Sequence, residues 1–201
     1  MSNLTIERTH HADPHSVERH SDNLKFAMWL YLASEVVLFA TLIAIFVVFR
    51  VNFPERIREV QEQSGLLLVS INTFLLLSSS WTMVMGLRAI QGGDQKMLVR
   101  WIGLTALLGT AFVLLQYVEY NTLAREGITL YSDTFGMRFY APTAFHGAHV
   151  IIGVLWALFV LNRGRKGIYN NGNYLGVEIF GLYWHFVDVV WILLFTVIYL
   201  I

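Results

Sequence analysis

The chain has 201 residues, of which 56% are hydrophobic and 14% charged. That balance is too apolar for a water-facing surface, and with 14 basic against 14 acidic side chains and no run of either sign, nothing marks a nucleic-acid partner. Cysteine is absent, which excludes disulfides, thiolate metal sites and cysteine nucleophiles.

Residues 1–23, MSNLTIERTHHADPHSVERHSDN, lack the apolar core of a signal peptide and read as a flexible N-terminal tail. Its histidines, His10, His11, His15 and His20, read as solvated side chains, and Ser21, Asp22 or Asn23 offers a helix cap where the apolar run begins. Residues 24–201 are expected to form one all-α transmembrane domain. A bilayer core about 30 Å thick needs about 20 mostly apolar residues per helix. Five segments meet that length: Leu24–Phe49, Leu66–Ile90, Leu98–Leu123, Phe135–Leu161 and Tyr174–Ile201. The links between them are too short for a further domain, although FPERIREVQEQSG, opening near Pro54, suits a short surface helix. Nine basic residues (Arg8, Arg19, Lys25, Arg88, Lys96, Arg100, Arg163, Arg165, Lys166) flank one side of these spans, and five (Arg50, Arg56, Arg58, Arg125, Arg138) flank the other. The imbalance places the N-terminus in the cytoplasm and the C-terminus outside.

Ionisable residues at helix centres cost roughly 2.5 to 3.5 kcal/mol each on insertion scales, so they mark a purpose. Glu35 lies mid-span in WLYLASEVVLFATLIAIF, His146 and His149 share one face of the fourth span, and His185 and Asp188 one face of the fifth. At a rise of about 1.5 Å per residue, Glu35 lies about 16 Å into its span, His185 and Asp188 about 16 to 21 Å, and the other two histidines about 18 to 23 Å. All five fall in one layer. Two roles suit it: an interhelical polar cluster whose members satisfy one another, or a place that handles protons or pairs with a neighbouring subunit. Glu119 lies near the outer end of the third span, where a wetted rim carboxylate is expected. Metal or haem ligation by these histidines is disfavoured because Phe145, Trp184 and Phe186 crowd them.

Ser70, Asn72, Ser78, Ser79, Ser80 and Thr82 in the second span, with Gly103, Gly109, Gly147 and Gly153 in the next two, predict close helix packing. Trp29, Tyr31, Trp101, Tyr117, Tyr120, Tyr183 and Tyr199 suit interfacial belts, whereas Trp184 and Trp191 lie deeper and should pack on another helix. Signatures of soluble enzymes, GxSxG, a Walker loop, GxGxxG after a strand or HExxH, are missing.

YWHFVDVVW at Tyr183–Trp191, FHGAHV at Phe145–Val150 and SEVVLF at Ser34–Phe39, in that arrangement, strongly resemble subunit III of the haem-copper respiratory oxidases. The resemblance runs from about Leu24 to Ile201 and implies a non-catalytic subunit of a proton-pumping terminal oxidase in a prokaryotic plasma membrane. It implies no cofactor in this chain, haem and copper in partner subunits, direct contact with subunit I, and association with subunit II and others. It also implies that Glu35 is the family's buried carboxylate, that His146, His149, His185 and Asp188 are the polar positions of the other two motifs, and that the subunit as a whole stabilises subunit I and supports proton uptake. Long members have seven spans and hold phospholipid in a cleft bounded by their first two; this chain matches the short form without those two, so helices of another chain would complete any such cleft. Phe145, where quinol-oxidising relatives tend to carry Thr, leans towards cytochrome c as electron donor. A quinol oxidase or nitric oxide reductase subunit, or a stand-alone proton or ion carrier, remains as an alternative. His185 and Asp188 are expected to tie span five to spans one and four.

Overall fold

The computed structural model describes residues 14–55, 65–125, 134–169 and 173–201, and no strand occurs among them. Five helices dominate: α1 (Pro14–Asn52), α2 (Leu66–Gln91), α3 (Gln95–Arg125), α4 (Thr134–Arg165) and α5 (Leu175–Phe195), the last continuing into a π-helical turn at Thr196–Leu200. Each is long and apolar enough to cross a membrane. Residues 1–13, and with them His10 and His11, lie outside the described residues, as do 56–64, where the surface helix was expected, and the side chains of His15 and His20.

The first helix begins at Pro14 rather than Leu24, so Ser21, Asp22 and Asn23 lie inside it and not at its start. Proline, with its fixed φ and missing N–H, suits a helix start, and polar residues propagate a helix as well as apolar ones do once it has left the bilayer.

From α2 onward, sequential helices pack as neighbours. Between α2 and α3 the chain reverses through Gly93, at φ +78°. Gly93 N–H donates to the Ile90 carbonyl at 2.9 Å and Asp94 N–H to that of Ala89 at 2.9 Å, the paired bonds of a Schellman turn. Asp94 then caps α3 by accepting from the Met97 N–H at 2.9 Å. The end of α4 repeats the device at Gly167, φ +77°, where Gly167 and Ile168 donate back to Gly164 and Arg163.

Helices α2 to α5 pack into a bundle, and α1 lies against α4 and α5. The hub is α5, half of whose span window is buried, against 22% for α1. Trp184 and Trp191 of α5 are fully buried. Their indole N–H groups donate to Ser79 and Thr73 of α2, each at 2.9 Å. Two of the four glycines expected at helix contacts make room for Trp184: a β-carbon on Gly109 would lie 2.7 Å from its Cη2, and one on Gly153 2.6 Å from its Cζ3. Gly147 has nothing within 4 Å of such a carbon, and at Gly103 the nearest atom, on Leu161, is 3.8 Å away. Those two positions bring no backbones together.

Trp29, Tyr31 and Tyr117 are exposed at the bundle surface, but Tyr183 and Tyr199 are buried. Both hydroxyls find acceptors inside the bundle, His149 O at 2.9 Å and Glu119 Oε1 at 2.9 Å, which removes the need for an aqueous interface.

Candidate functional site

Helix geometry fixes which of the mid-membrane side chains meet. On α4, His146 and His149 are three residues apart, an angular step of about 60° at 100° per residue, and this is enough to direct them to different neighbours. His149 turns towards α1: its Nδ1 donates to the Phe145 carbonyl at 2.9 Å, and its Nε2 lies 3.4 Å from Glu35 Oε2. With Nδ1 carrying a hydrogen, attraction across Nε2 and Oε2 requires one proton, held by either the imidazole or the carboxyl. At 3.4 Å the pair is longer than a full-strength hydrogen bond. Tyr31, one turn before Glu35, and Tyr183 are further polar side chains near it, while Phe39 and Phe145 pack on the His149 ring at 5.3 and 4.8 Å.

His146 enters the bundle core. It is fully buried, stacked on Trp191 at 5.0 Å and edge-on to Phe112 at 5.8 Å. Neither ring nitrogen has a hydrogen-bond partner among the described residues.

On α5, His185 does not reach Glu35 or Asp188. Its Nδ1 pairs with the hydroxyl of Ser80 at 2.5 Å, so it ties α5 to α2 and not to α1 and α4 as expected. Asp188 is 4% exposed, and both its carboxylate oxygens lack a hydrogen-bond partner among the described residues. Its nearest polar neighbour, Ser80, is engaged with His185. The layer therefore does not close into one mutually satisfied network. It divides into the Glu35–His149 pair, the Ser80–His185 pair, and two buried groups, His146 and Asp188, on facing elements of the core.

Glu119 departs most from its expected place at a wetted rim. It is 3% exposed; Tyr199 donates to Oε1 at 2.9 Å and Gln116 Nε2 to Oε2 at 2.8 Å. Gln116 could have been suspected, since it precedes Glu119 by one turn on the same face. Tyr199 could not, because the π turn rotates it inward. Ser80 carried only the signal of a small polar residue in a hydrophobic span.

Among the described residues no three of His, Cys, Asp and Glu converge on a metal-sized centre. His146, the most enclosed imidazole, faces aromatic rings at coordinating depth. Chemically the arrangement can hold helices in register and can keep one proton at the Glu35–His149 contact.

The family model for cytochrome c oxidase subunit III matches residues 3–201. Cytochrome c oxidase subunit 3 of a Synechocystis species is 39% identical over 190 residues, 94% of this chain and 80% of that protein. Cytochrome c oxidase subunit 3 of a Bacillus species is 34% identical over 197 residues, covering 98% of this chain and 95% of the relative. A probable quinol oxidase subunit 3 of Staphylococcus saprophyticus is 33% identical over 194 residues, 96% of each. Such bacterial relatives, together with five apolar helices, make this a multi-pass protein of the plasma membrane. A match of that extent, at those identities, means that the chain belongs to the cytochrome c oxidase subunit III family.

Proposed function

We propose that this chain is the accessory subunit of a proton-pumping haem-copper terminal oxidase, bound directly to subunit I and alongside subunit II, with haem and copper held by those partners and none by itself. The family match over residues 3–201 carries this reading. The fold supports it: several of the buried or half-buried polar side chains join helices in pairs, among them Ser80–His185, Trp184–Ser79, Trp191–Thr73 and Tyr199–Glu119. The basic residues, nine on one side of the spans and five on the other, set the N-terminus in the cytoplasm. In this role Ser80–His185 and the indole bonds of α5 are architecture that holds the face presented to subunit I. Glu35–His149 is the one member of the layer that is positioned to support proton uptake. Phe145 favours cytochrome c as donor over quinol.

Affinity purification of the full chain from native membranes tests the whole proposal. A large haem-bearing subunit should accompany it, and the complex should oxidise cytochrome c faster than quinol. Purification without any haem protein, together with proton flux through vesicles containing this chain alone, would overturn it in favour of a stand-alone carrier. Glu35→Gln separates the two roles of the layer: intact assembly with shortened sustained turnover assigns the pair to proton supply, and unchanged turnover leaves it architectural.

A further inference from the structure

A second feature lies at the end of the bundle that carries the α2–α3 turn, remote from the mid-membrane residues. Gln95, the first residue of α3, donates its side-chain amide to the carbonyl of Gly164 near the end of α4. The absence of a side chain at Gly164 permits this approach, since a β-carbon there would lie 3.3 Å from Val99 Cγ2. Beyond the contact the two Schellman turns carry the backbone apart, and a hollow of about 570 Å³ opens between the helix ends. Lys96, Arg100, Arg165 and Lys166 line it, and among the described residues no carboxylate does.

Four cations around one hollow repel one another unless an anion joins them. Among the described residues Lys96, Arg165 and Lys166 enter no ion pair, and the only side-chain bond of Arg100 is a long one, 3.8 Å, to the sulfur of Met97. Gln95 and Arg165 are also the first and last residues of two membrane-spanning helices, which sets the hollow at the level of lipid headgroups. Val99 gives it an apolar wall; one turn deeper along the same seam lie Gly103, which has no side chain, and the partly buried Leu161. Charge above and hydrocarbon below match an amphipathic anion better than a soluble one.

We infer that this hollow binds the phosphodiester headgroup of an anionic membrane lipid, with the four cations around the phosphate and an acyl chain descending between α3 and α4. The site is complete within this chain and uses only the ends of α3 and α4.

The test takes the full chain, with any partner subunits that accompany it, in phosphatidylcholine nanodiscs carrying graded phosphatidylglycerol, and reads retained lipid by native mass spectrometry. Wild type should retain phosphatidylglycerol selectively. Lys96→Gln with Lys166→Gln, both exposed and so compatible with folding, should weaken retention about 25-fold, roughly fivefold per cation removed. Arg125→Gln, which removes one cation at the opposite end of α3, should leave it unaltered. Retention by the double variant equal to wild type overturns the proposal, and so does a roughly fivefold weakening by Arg125→Gln, the same loss per cation, which would mean diffuse attraction. Displacement of the lipid by inorganic phosphate at millimolar concentration would make this a site for soluble anions instead. Loss of a partner subunit from the double variant, with lipid retention unchanged, would make it a protein-docking surface.

Discussion

Replacing Gly153 by alanine tests the packing logic of the bundle at its tightest point. The new methyl group would stand 2.6 Å from Cζ3 and 2.8 Å from Cε3 of Trp184, well inside van der Waals contact. The indole cannot retreat: its opposite edge faces Gly109 of α3, where a β-carbon would already be 2.7 Å away, and its N–H is tied to Ser79. Overpacking a filled core costs about 1–3 kcal/mol. A displaced ring also loses its interhelical hydrogen bond, worth about 0.6 kcal/mol on average in membranes and up to about 1.7. Together these give roughly 2 to 4 kcal/mol of destabilisation, readable as a lowered midpoint of near-UV circular dichroism on heating in detergent. Trp184→Phe removes the clashing ring, so adding Gly153→Ala in that background should cost little, leaving a coupling of 1 kcal/mol or more, roughly, between the sites. An unchanged midpoint for Gly153→Ala, or the same cost in both backgrounds, would refute the packing argument.

Tyr199→Phe leaves Glu119 Oε1 buried without its donor, an expected loss of about 1–3 kcal/mol; a melting midpoint like wild type would mean that the carboxyl reaches water. Ser80→Ala should shift the imidazole nitrogen resonances of His185 while lowering stability by no more than about 1 kcal/mol, because His185 is only half-buried and can turn to another partner; unmoved resonances would deny the bond. Lys25→Gln breaks a bridge to Glu178 whose side chains are 41% and 23% exposed, and a loss below about 1 kcal/mol is expected in denaturant titration; a larger loss would show that the contact is shielded in the membrane.

Hydropathy reports what lies in the bilayer, and for that reason all five spans were legible while the start of α1 was not: residues 14–23 are helical but too polar to register. Glu35 and His149 were legible because a charge in hydrocarbon needs a reason, and the structure brings them together. Depth along a helix, however, says nothing of azimuth. His185 and Asp188 sit at the right height but look towards α2, and His146 looks into an aromatic core. Likewise a glycine announces that a backbone can approach, without naming the side chain that comes. Gly109 and Gly153 receive Trp184; Gly147 receives nothing. Tyr199 was read as an interface residue because a regular helix would have carried it there.

The attachment of α1 follows from the same physics. Lipid tails are as apolar as leucine, so an apolar helix face gains little by turning from lipid to protein, and α1 offers the least buried window of the five. What fixes it is a polar contact in each part of its length: Lys25 to Glu178 at 2.7 Å, Glu35 to His149 at 3.4 Å, and Arg50, donating to the Val197 carbonyl at 2.7 Å. These lie about 15 Å and then about 22 Å apart along the axis, with Phe39 and Phe46 packed between. The third contact depends on the π turn. In a regular α-helix the Val197 carbonyl would accept from Ile201, but Ile201 N–H instead donates to Thr196 O at 3.0 Å, leaving the Val197 oxygen for Arg50. The same extra residue rotates the chain by about 100° and brings Tyr199 onto Glu119. One local irregularity at the end of α5 thus joins that helix to both α1 and α3, and a regular finish to α5 would release the two contacts together.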